Sequence, residues 1–518
     1  MSKDPSLTKG IPMKKFMMFC STSLLTLSVS TNALAVRTTD MYDLTQIYQL
    51  ALDSDPVFKS ANDQRLASEQ AIPTAVAGFL PFVEGQITQL NQMIDNGFLY
   101  EPSPIESEFG ILIYGTEVVR TAEYNGQVTQ TLFDLSKWHT LRQAYRIKDT
   151  AEANYLNAAQ DLMVRSATSY FNVLRAIDNL NFVIAEKKAV QRQLEQTQAK
   201  FQVGLVAITD VKELEAQRDA IRAQEISAYN QIQSAREAVR VITGIFPEKL
   251  AALRERIPLI SPAPTDGDSW AGIAEDSNPK LQAAKYNSEV QKQSVNIARD
   301  QRLPTISFTG ETFKQRYGTL SDPTSSDSEW QWNALLTGEV TLFSGGAITS
   351  SIRKAQYTYQ QSLDDLEKVR RDTVSSTENA YRDVETALTR VKALQKAVIS
   401  SQVALDATIA GYNVGTRTSV DVLTEISNLY QQQRDLSNAR YDYILAILAL
   451  KKAAGIIIAN DIFVVNNLLV NKPATITDEK AERAEILKFA NEPTPSGSEV
   501  STEMRDINRL IPMEPKTK

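Results

Sequence analysis

From Asp134 to about Phe201, and again from Ala347 to about Tyr412, the chain has no proline and almost no glycine, and Ala, Gln, Leu, Arg and Glu dominate. Strong helix formers without a breaker predict one very long helix in each stretch. About 65 residues rising about 1.5 Å each would reach roughly 100 Å, far beyond a helix of an ordinary globular core. A shorter segment follows each. In the first, Val211, Leu214, Ile221, Ala228, Ile232, Ala235, Val239 and Ile242 recur; in the second, Val422, Glu425, Leu429, Gln432, Leu436, Ala439, Tyr443, Ala446, Leu450 and Ala453 alternate by three and four. That spacing is the seam of a coiled coil. The seams are thin, with alanines and polar members, so the helices can pack side by side on both flanks as the wall of a helical barrel; a globular core asks for a broader stripe. A plain coiled-coil rod is the other reading of the helices alone.

Between the helices the period drops to two. Ala122, Tyr124, Gly126, Val128 and Leu132 alternate with Glu123, Asn125, Gln127, Thr129 and Thr131; Trp330, Trp332, Ala334, Leu336, Val340 and Leu342 alternate with Gln331, Asn333, Thr337, Glu339 and Thr341. Ile306 and Phe308 within Thr305 to Thr309 predict a third strand, and Val83, Gly85 and Ile87 against Glu84, Gln86 and Thr88 a fourth. Strands of about ten residues with one apolar face cross a bilayer when tilted. Tyr100, Tyr114, Tyr124, Tyr317, Trp330 and Trp332 fall near the strand ends, where an interfacial aromatic girdle would stand. A surface sheet of a soluble domain alternates in the same way, but no amphipathic helix adjacent in sequence is available to cover this one. Four strands cannot close a barrel, whereas copies from several chains can.

The chain also repeats itself. "FQVGLVAITDVKELEAQ" from Phe201 is echoed by "YNVGTRTSVDVLTEISN" from Tyr412, an offset of 211 that also carries Gly244 onto Gly455. Asp55-Pro56 and Leu80-Pro81 match Asn278-Pro279 and Leu303-Pro304 at an offset of 223, whereas "LFDLSKWHTLRQAY" from Leu132 matches "LFSGGAITSSIRKAQY" from Leu342 at 210, so about 13 extra residues lie between Pro81 and Leu132. The expected organisation is residues 1–35 as an extension and signal peptide and 36–260 as the first repeat, with strands at about 82–94 and 122–133 and helices at about 134–201 and 208–243. The linker "SPAPTDGDS" falls within 261–270. The second repeat, 271–457, carries strands at about 305–316 and 330–343 and helices at about 347–411 and 419–455. A C-terminal segment with a polar, disordered tail fills 458–518.

Composition narrows the function. Lys14 and Lys15 before an apolar stretch from Phe16 to about Val29 and the pattern Ala33-Leu34-Ala35 predict a secretory signal peptide, with Met13 as the working start. Cys20, the only cysteine, lies inside it, so the exported chain has no thiol for disulfides, catalysis or metal binding. Removing residues 1–35 leaves 51 basic and 61 acidic residues, a balance near −10 that does not suit nucleic acid. No exported segment reaches the apolar length of a membrane-spanning helix, so entry into a membrane requires a closed β-barrel.

The strings "GLVAITDV" (Gly204 to Val211), "GTRTSVDVL" (Gly415 to Leu423), "SYFNVLRAIDNL" (Ser169 to Leu180) and "NARYDYILAILALKKAAG" (Asn438 to Gly455) closely resemble the TolC family of outer-membrane efflux and type I secretion channels. The resemblance covers nearly the whole exported chain. It implies an α+β membrane protein: a homotrimer whose chains give four strands each to one twelve-stranded outer-membrane barrel, continuous with a periplasmic α-helical barrel and belted at its equator by short helices and tails. It also implies a location in the outer membrane of a Gram-negative cell, no cofactor, and a periplasmic adaptor plus an inner-membrane pump or ABC exporter as partners. By position, the family's gate latch maps onto Thr209, Asp210, Tyr412 and Arg417, and its constriction onto Asp421 and Thr424. The latter stands where the family has a second aspartate ring, with Glu425 beside it. The tips gripped by adaptors map onto Val203-Gly204-Leu205 and Val414-Gly415-Thr416. An ordinary surface ion pair and a simple helix stop would explain the same latch and tip residues without the resemblance. A ring of Asp421 carboxylates would attract cations, and its members would raise one another's pKa.

An enzyme finds few parts here. His139 is the only histidine, so histidine triads and zinc clusters are incomplete; beside Trp138 it reads as an interfacial residue. Ser351-x-x-Lys354 lacks partner motifs, and Asp266-Gly267-Asp268 offers too few ligands for calcium. A trimeric cell-surface coiled coil or adhesin remains the rival, although it would lack strands inserted in each of two repeats.

Overall fold

The computed structural model describes residues 41–101, 111–319, 326–477 and 484. The predicted signal peptide and most of the polar tail lie outside them. The described residues open with three short helices, α1 (Leu44–Ser54), α2 (Pro56–Glu69) and α3 (Ala71–Ala77). Strands β1 (Phe82–Glu101) and β2 (Ile111–Phe133) come next, followed by helices α4 (Leu135–Gln202) and α5 (Ile208–Thr243) and the short strand β3 (Ala251–Leu253). The order then recurs with α6 (Gly267–Ser277), α7 (Pro279–Asp300), β4 (Thr305–Thr319), β5 (Ser326–Asp327), β6 (Gln331–Glu339), α8 (Ala347–Asn413), α9 (Ser419–Ala453) and α10 (Ala459–Asn466), and β7 (Leu469–Pro473) closes it.

Many helix starts are set by side chains. Asp43 accepts from the Gln46 N–H at 2.8 Å and Gln46 returns a bond to Asp43 N at 3.0 Å, a capping box for α1. Asp55, Asn278 and Asp134 cap α2, α7 and α4, and proline fills the first helical position of α2 and α7, where no N–H is needed. The linker expected at 261–270 ends in such a cap: Asp266 accepts from Ser269 N at 2.7 Å, and α6 begins at Gly267.

The 68 residues of α4 and 67 of α8 extend roughly 100 Å each. Near the strands α4 packs against α2 and α7, with α8 on the far side of α7; toward the opposite end α4 packs against α5 and α9, with α8 beyond α9. Buried residues fall into two clusters. One gathers Tyr170, Phe171, Leu174 and Ile177 of α4 with α1, α6, α10 and the β3–β7 pair; the other joins Val190, Leu194, Leu214, Ile221, Leu405, Tyr412, Val422 and Ile426 near the turns. Because α9 contacts both α8 and α4, it buries two faces. Val422, Ile426 and Leu429 are buried while Glu425, expected in the seam, is only half-buried.

The strands differ from expectation in length. β2 starts at Ile111 rather than near 122, because it pairs antiparallel with β1 as far as Glu101. β6 stops at Glu339 rather than 343, since its partner β4 starts at Thr305, directly after Pro304, which has no N–H for a further rung. Gly345 and Gly346 then turn the chain into α8 with φ of +62° and +90°.

Candidate functional site

Three places on the molecule stand out: the exposed sheet, the exposed helical turns at its far end, and the polar, partly buried line where α4 meets α9.

The sheet runs β1–β2–β4–β6, all antiparallel, with β5 also on β4. Register decides its faces, since residues directly opposite share a face. Val83, Val128, Gly310 and Ala334 make one row, flanked by Gly126, Thr312 and Trp332 on one side and Phe308 and Leu336 on the other. Glu84, Gln127, Glu311 and Asn333 make a row on the opposite face, beside Gln86, Asn125, Phe313 and Gln331; Asn125 Nδ2 donates to Glu311 Oε1 at 3.2 Å. One face is therefore mainly apolar and the other mainly polar: Phe82, Leu90, Phe313 and Leu335 stand on the polar face, and Gln89, Asn91, Arg120, Lys314 and Arg316 on the apolar one. Ile87, Val83 and Trp332 are more than 70% exposed, so no described residue covers that face. Among the described residues β1 pairs only with β2, and β6 only with β4, so both edges have unused hydrogen-bonding groups. The expected girdle residues Trp330 and Trp332 are exposed, while the side chains of Tyr100, Tyr114 and Tyr317 lie outside the description. At the base of the sheet Trp138 stacks edge-on against Phe79. The neighbouring His139 turns inward instead, its Nδ1 2.9 Å from Gln293 and its Nε2 3.6 Å from Asp300.

At the other end, the two turns have one construction. Gly204 and Gly415 adopt φ of +76° and +82°, and the next N–H closes each helix, Leu205 onto Lys200 O and Thr416 onto Gly411 O, both at 2.9 Å. This leaves Val203, Leu205 and Val414 at least 70% exposed, three aliphatic side chains in water at the tips.

The expected latch residues are not gathered within one chain. Thr209 is exposed and Asp210 half-buried in the first turn of α5. Tyr412 is buried, its hydroxyl 3.2 Å from Thr197 Oγ1 on α4 and its ring under the Lys200 ammonium at 3.8 Å. Arg417 is exposed, its stem lying over Gly411, and among the described residues it forms no ion pair. Asp421 closes a capping box with Thr418: Thr418 N donates to Oδ2 at 2.9 Å, and Thr418 Oγ1 accepts from Asp421 N at 3.2 Å. The Thr418 backbone N–H, then its side chain and the nearby Arg417, hold the Asp421 carboxyl below its usual range. Exposed Thr424 turns its hydroxyl back onto Val420 O at 2.9 Å.

Sequence reasoning missed the polar ladder between α4 and α9. Arg175 meets Asp442 at 2.5 Å; Asp178 accepts from Ser437 and Tyr441, both at 2.7 Å; Glu186 accepts from Ser427 at 2.9 Å and pairs with Arg434 at 2.8 Å. Inside the α4–α5 pair, buried Lys187 meets buried Glu225 at 3.0 Å. A signal existed: Glu225 fills the vacant place between Ile221 and Ala228 in the seam of α5.

An uncovered apolar sheet face of membrane-crossing height, joined without a linker to helices of this length, defines an outer-membrane channel protein. The family model described as outer membrane efflux protein matches residues 47–245 and 270–456, and the chain belongs to that family. It is 33% identical over 450 residues to outer membrane protein TolC of Escherichia coli K12, covering 84% of this chain and 87% of the relative. TolC of Vibrio cholerae is 35% identical over 429 residues, 82% and 93% of the two chains. The alkaline protease secretion protein AprF of Pseudomonas aeruginosa is 25% identical over 418 residues, 79% and 84%. The solved channel CusC superposes with a TM-score of 0.67 at 16% identity, over 80% of this chain and 92% of its own, a likeness of fold.

Proposed function

We propose that three copies of this chain close around one axis, joining their sheets into a twelve-stranded barrel in the outer membrane and their helices into a periplasmic tube. The observation that carries the reading is the sheet itself, with two open edges and a bare apolar face above helices that offer no cover. Edge-to-edge addition of two further copies satisfies the backbone groups at both edges and turns the apolar face to lipid. The polar rows then line water. The repeated order of short helices, strands and long helices supports one module used twice in each chain.

The protein is an outer-membrane exit duct for efflux and type I secretion, in keeping with its family and with relatives named for efflux and protease secretion. It performs no reaction; energy comes from an inner-membrane pump or exporter, bridged by a periplasmic adaptor. The exposed aliphatic tips at Val203, Leu205 and Val414 fit a hydrophobic docking partner of that kind. Thr209, Asp210, Tyr412 and Arg417 act as the latch across neighbouring copies: exposed Arg417, which makes no ion pair among the described residues, can reach a carboxylate of the next copy. Asp421 forms the acidic constriction, with Thr424 facing water.

Conductance in planar bilayers tests the reading. Purified protein should give small, mildly cation-selective closed-state currents that increase when Arg417 is replaced by Ser. Oligomers that never conduct, with or without Arg417, would favour a structural coiled coil instead.

A further inference from the structure

The seven charged residues with described side chains on the four long strands are sorted by sign. By register Glu84, Glu123, Glu311 and Glu339 all stand on the polar face, whereas Arg120, Lys314 and Arg316 all stand on the apolar one. Lys314 is opposite Tyr124 and Ile87; Arg316 is opposite Ala122; Arg120 is one step further along the same face, opposite Gly318 and Asn91. Charges on a lipid-facing surface are costly near the bilayer midplane and tolerated only near its boundaries, so their height matters. From Ile306, the lowest outward apolar residue of β4, to Arg316 is a step of ten residues. Ten residues span about 33 Å of strand, or about 25 Å along the membrane normal at a tilt of about 40°, which is the height of the apolar band of an outer-membrane barrel. The cations therefore stand at the boundary furthest from the helices, on the outer leaflet's headgroups.

We propose that Arg120, Lys314 and Arg316 form a binding site for the phosphate groups of a phosphorylated glycolipid in that leaflet, with Ile87, Val83 and Val128 beneath to receive its acyl chains. Two guanidiniums and an ammonium on neighbouring strands suit a phosphate, which arginine binds through paired N–H donors. With five donors each, the arginines can serve a phosphate while keeping contacts within the sheet. The inference rests on the reading of the apolar face as lipid-facing.

The test uses the full-length protein and a variant carrying Arg120→Gln, Lys314→Gln and Arg316→Gln, both delipidated in detergent and then offered bisphosphorylated lipid A or the same lipid stripped of phosphate. Lipid retained per complex is counted by native mass spectrometry, and insertion into phosphatidylcholine vesicles is measured in parallel. The wild type should prefer the phosphorylated lipid by at least about tenfold, and the variant should lose that preference while inserting equally well. A wild type indifferent to phosphate, or a variant with its preference intact, overturns the site. Failure of both proteins to enter vesicles overturns the membrane reading itself and the site with it.

Discussion

Gly455 ends α9 with φ of +76°, and a Cβ there would lie 2.5 Å from Asn278 Cα, 2.7 Å from the Ser277 carbonyl oxygen and 2.8 Å from Asn278 N. All three are backbone atoms of the α6–α7 joint, which cannot swing aside as a side chain can. The joint is also pinned: Asn278 donates to Ala453 O and Gln160 to Gly455 O, both at 2.8 Å, and Thr377 to Ala453 O at 3.1 Å. Gly455→Ala thus combines left-handed strain of about 1–2 kcal/mol with overpacking of about 1–3 kcal/mol, a loss of roughly 2–5 kcal/mol per chain. Gly244 is its repeat counterpart and an internal control. Its φ is +75°, but the nearest atom to an added Cβ is Ser54 Cβ at 4.0 Å, so Gly244→Ala should cost only the strain. Thermal unfolding of the purified proteins, followed by helical circular dichroism, should rank wild type above Gly244→Ala and that variant clearly above Gly455→Ala. Equal midpoints for the two variants would refute the argument, because only the docked backbone distinguishes them.

Other consequences follow from single contacts. Asp421→Ala removes one half of the α9 capping box and should abolish block of the closed channel by polyvalent cations; unchanged block in bilayer recordings would remove Asp421 from the constriction. Glu186→Ala strands Arg434 and Ser427 on α9, and with Arg434 only partly buried the loss should be about 2–3 kcal/mol, below the full range for a buried pair. Glu186→Gln should recover part of it in denaturant unfolding. Asp55 is buried, which alone would push its pKa up, yet the Arg165 hydrogen bonds and the Phe58 N–H hold it below the usual value. A lowered folded pKa means this stabilisation is complete above the ordinary aspartate range near about 3.9 and is lost as pH falls below it. Asp55→Asn should flatten the acid limb of a stability-against-pH curve, and an identical limb would exclude the pair as its source.

Much of the framework could be read from the chain because it is local and periodic. The absence of proline from 134 to 201 and from 347 to 412 is enough to predict α4 and α8, and the alternation around Trp332 and Val128 predicts two strands and their apolar face. Ends were less legible, because β2 owes its extra length to its partner β1, and β6 its shorter one to Pro304 before β4. Contacts distant in sequence could not be read at all: β3 and β7 are a few residues each, and Tyr412 finds Thr197 only because α4 and α8 approach in space. The ladder from Arg175 to Glu186 was concealed for the same reason, since its α9 partners lie about 240 to 270 positions away and carry no periodic signal.

The most direct measurement is the mass of the detergent-solubilised protein, taken from membrane fractions and weighed by light scattering with the detergent subtracted. Three chains per particle, recovered from the outer membrane, are what the open edges β1 and β6 require. A folded single chain found in the soluble fraction would contradict the account.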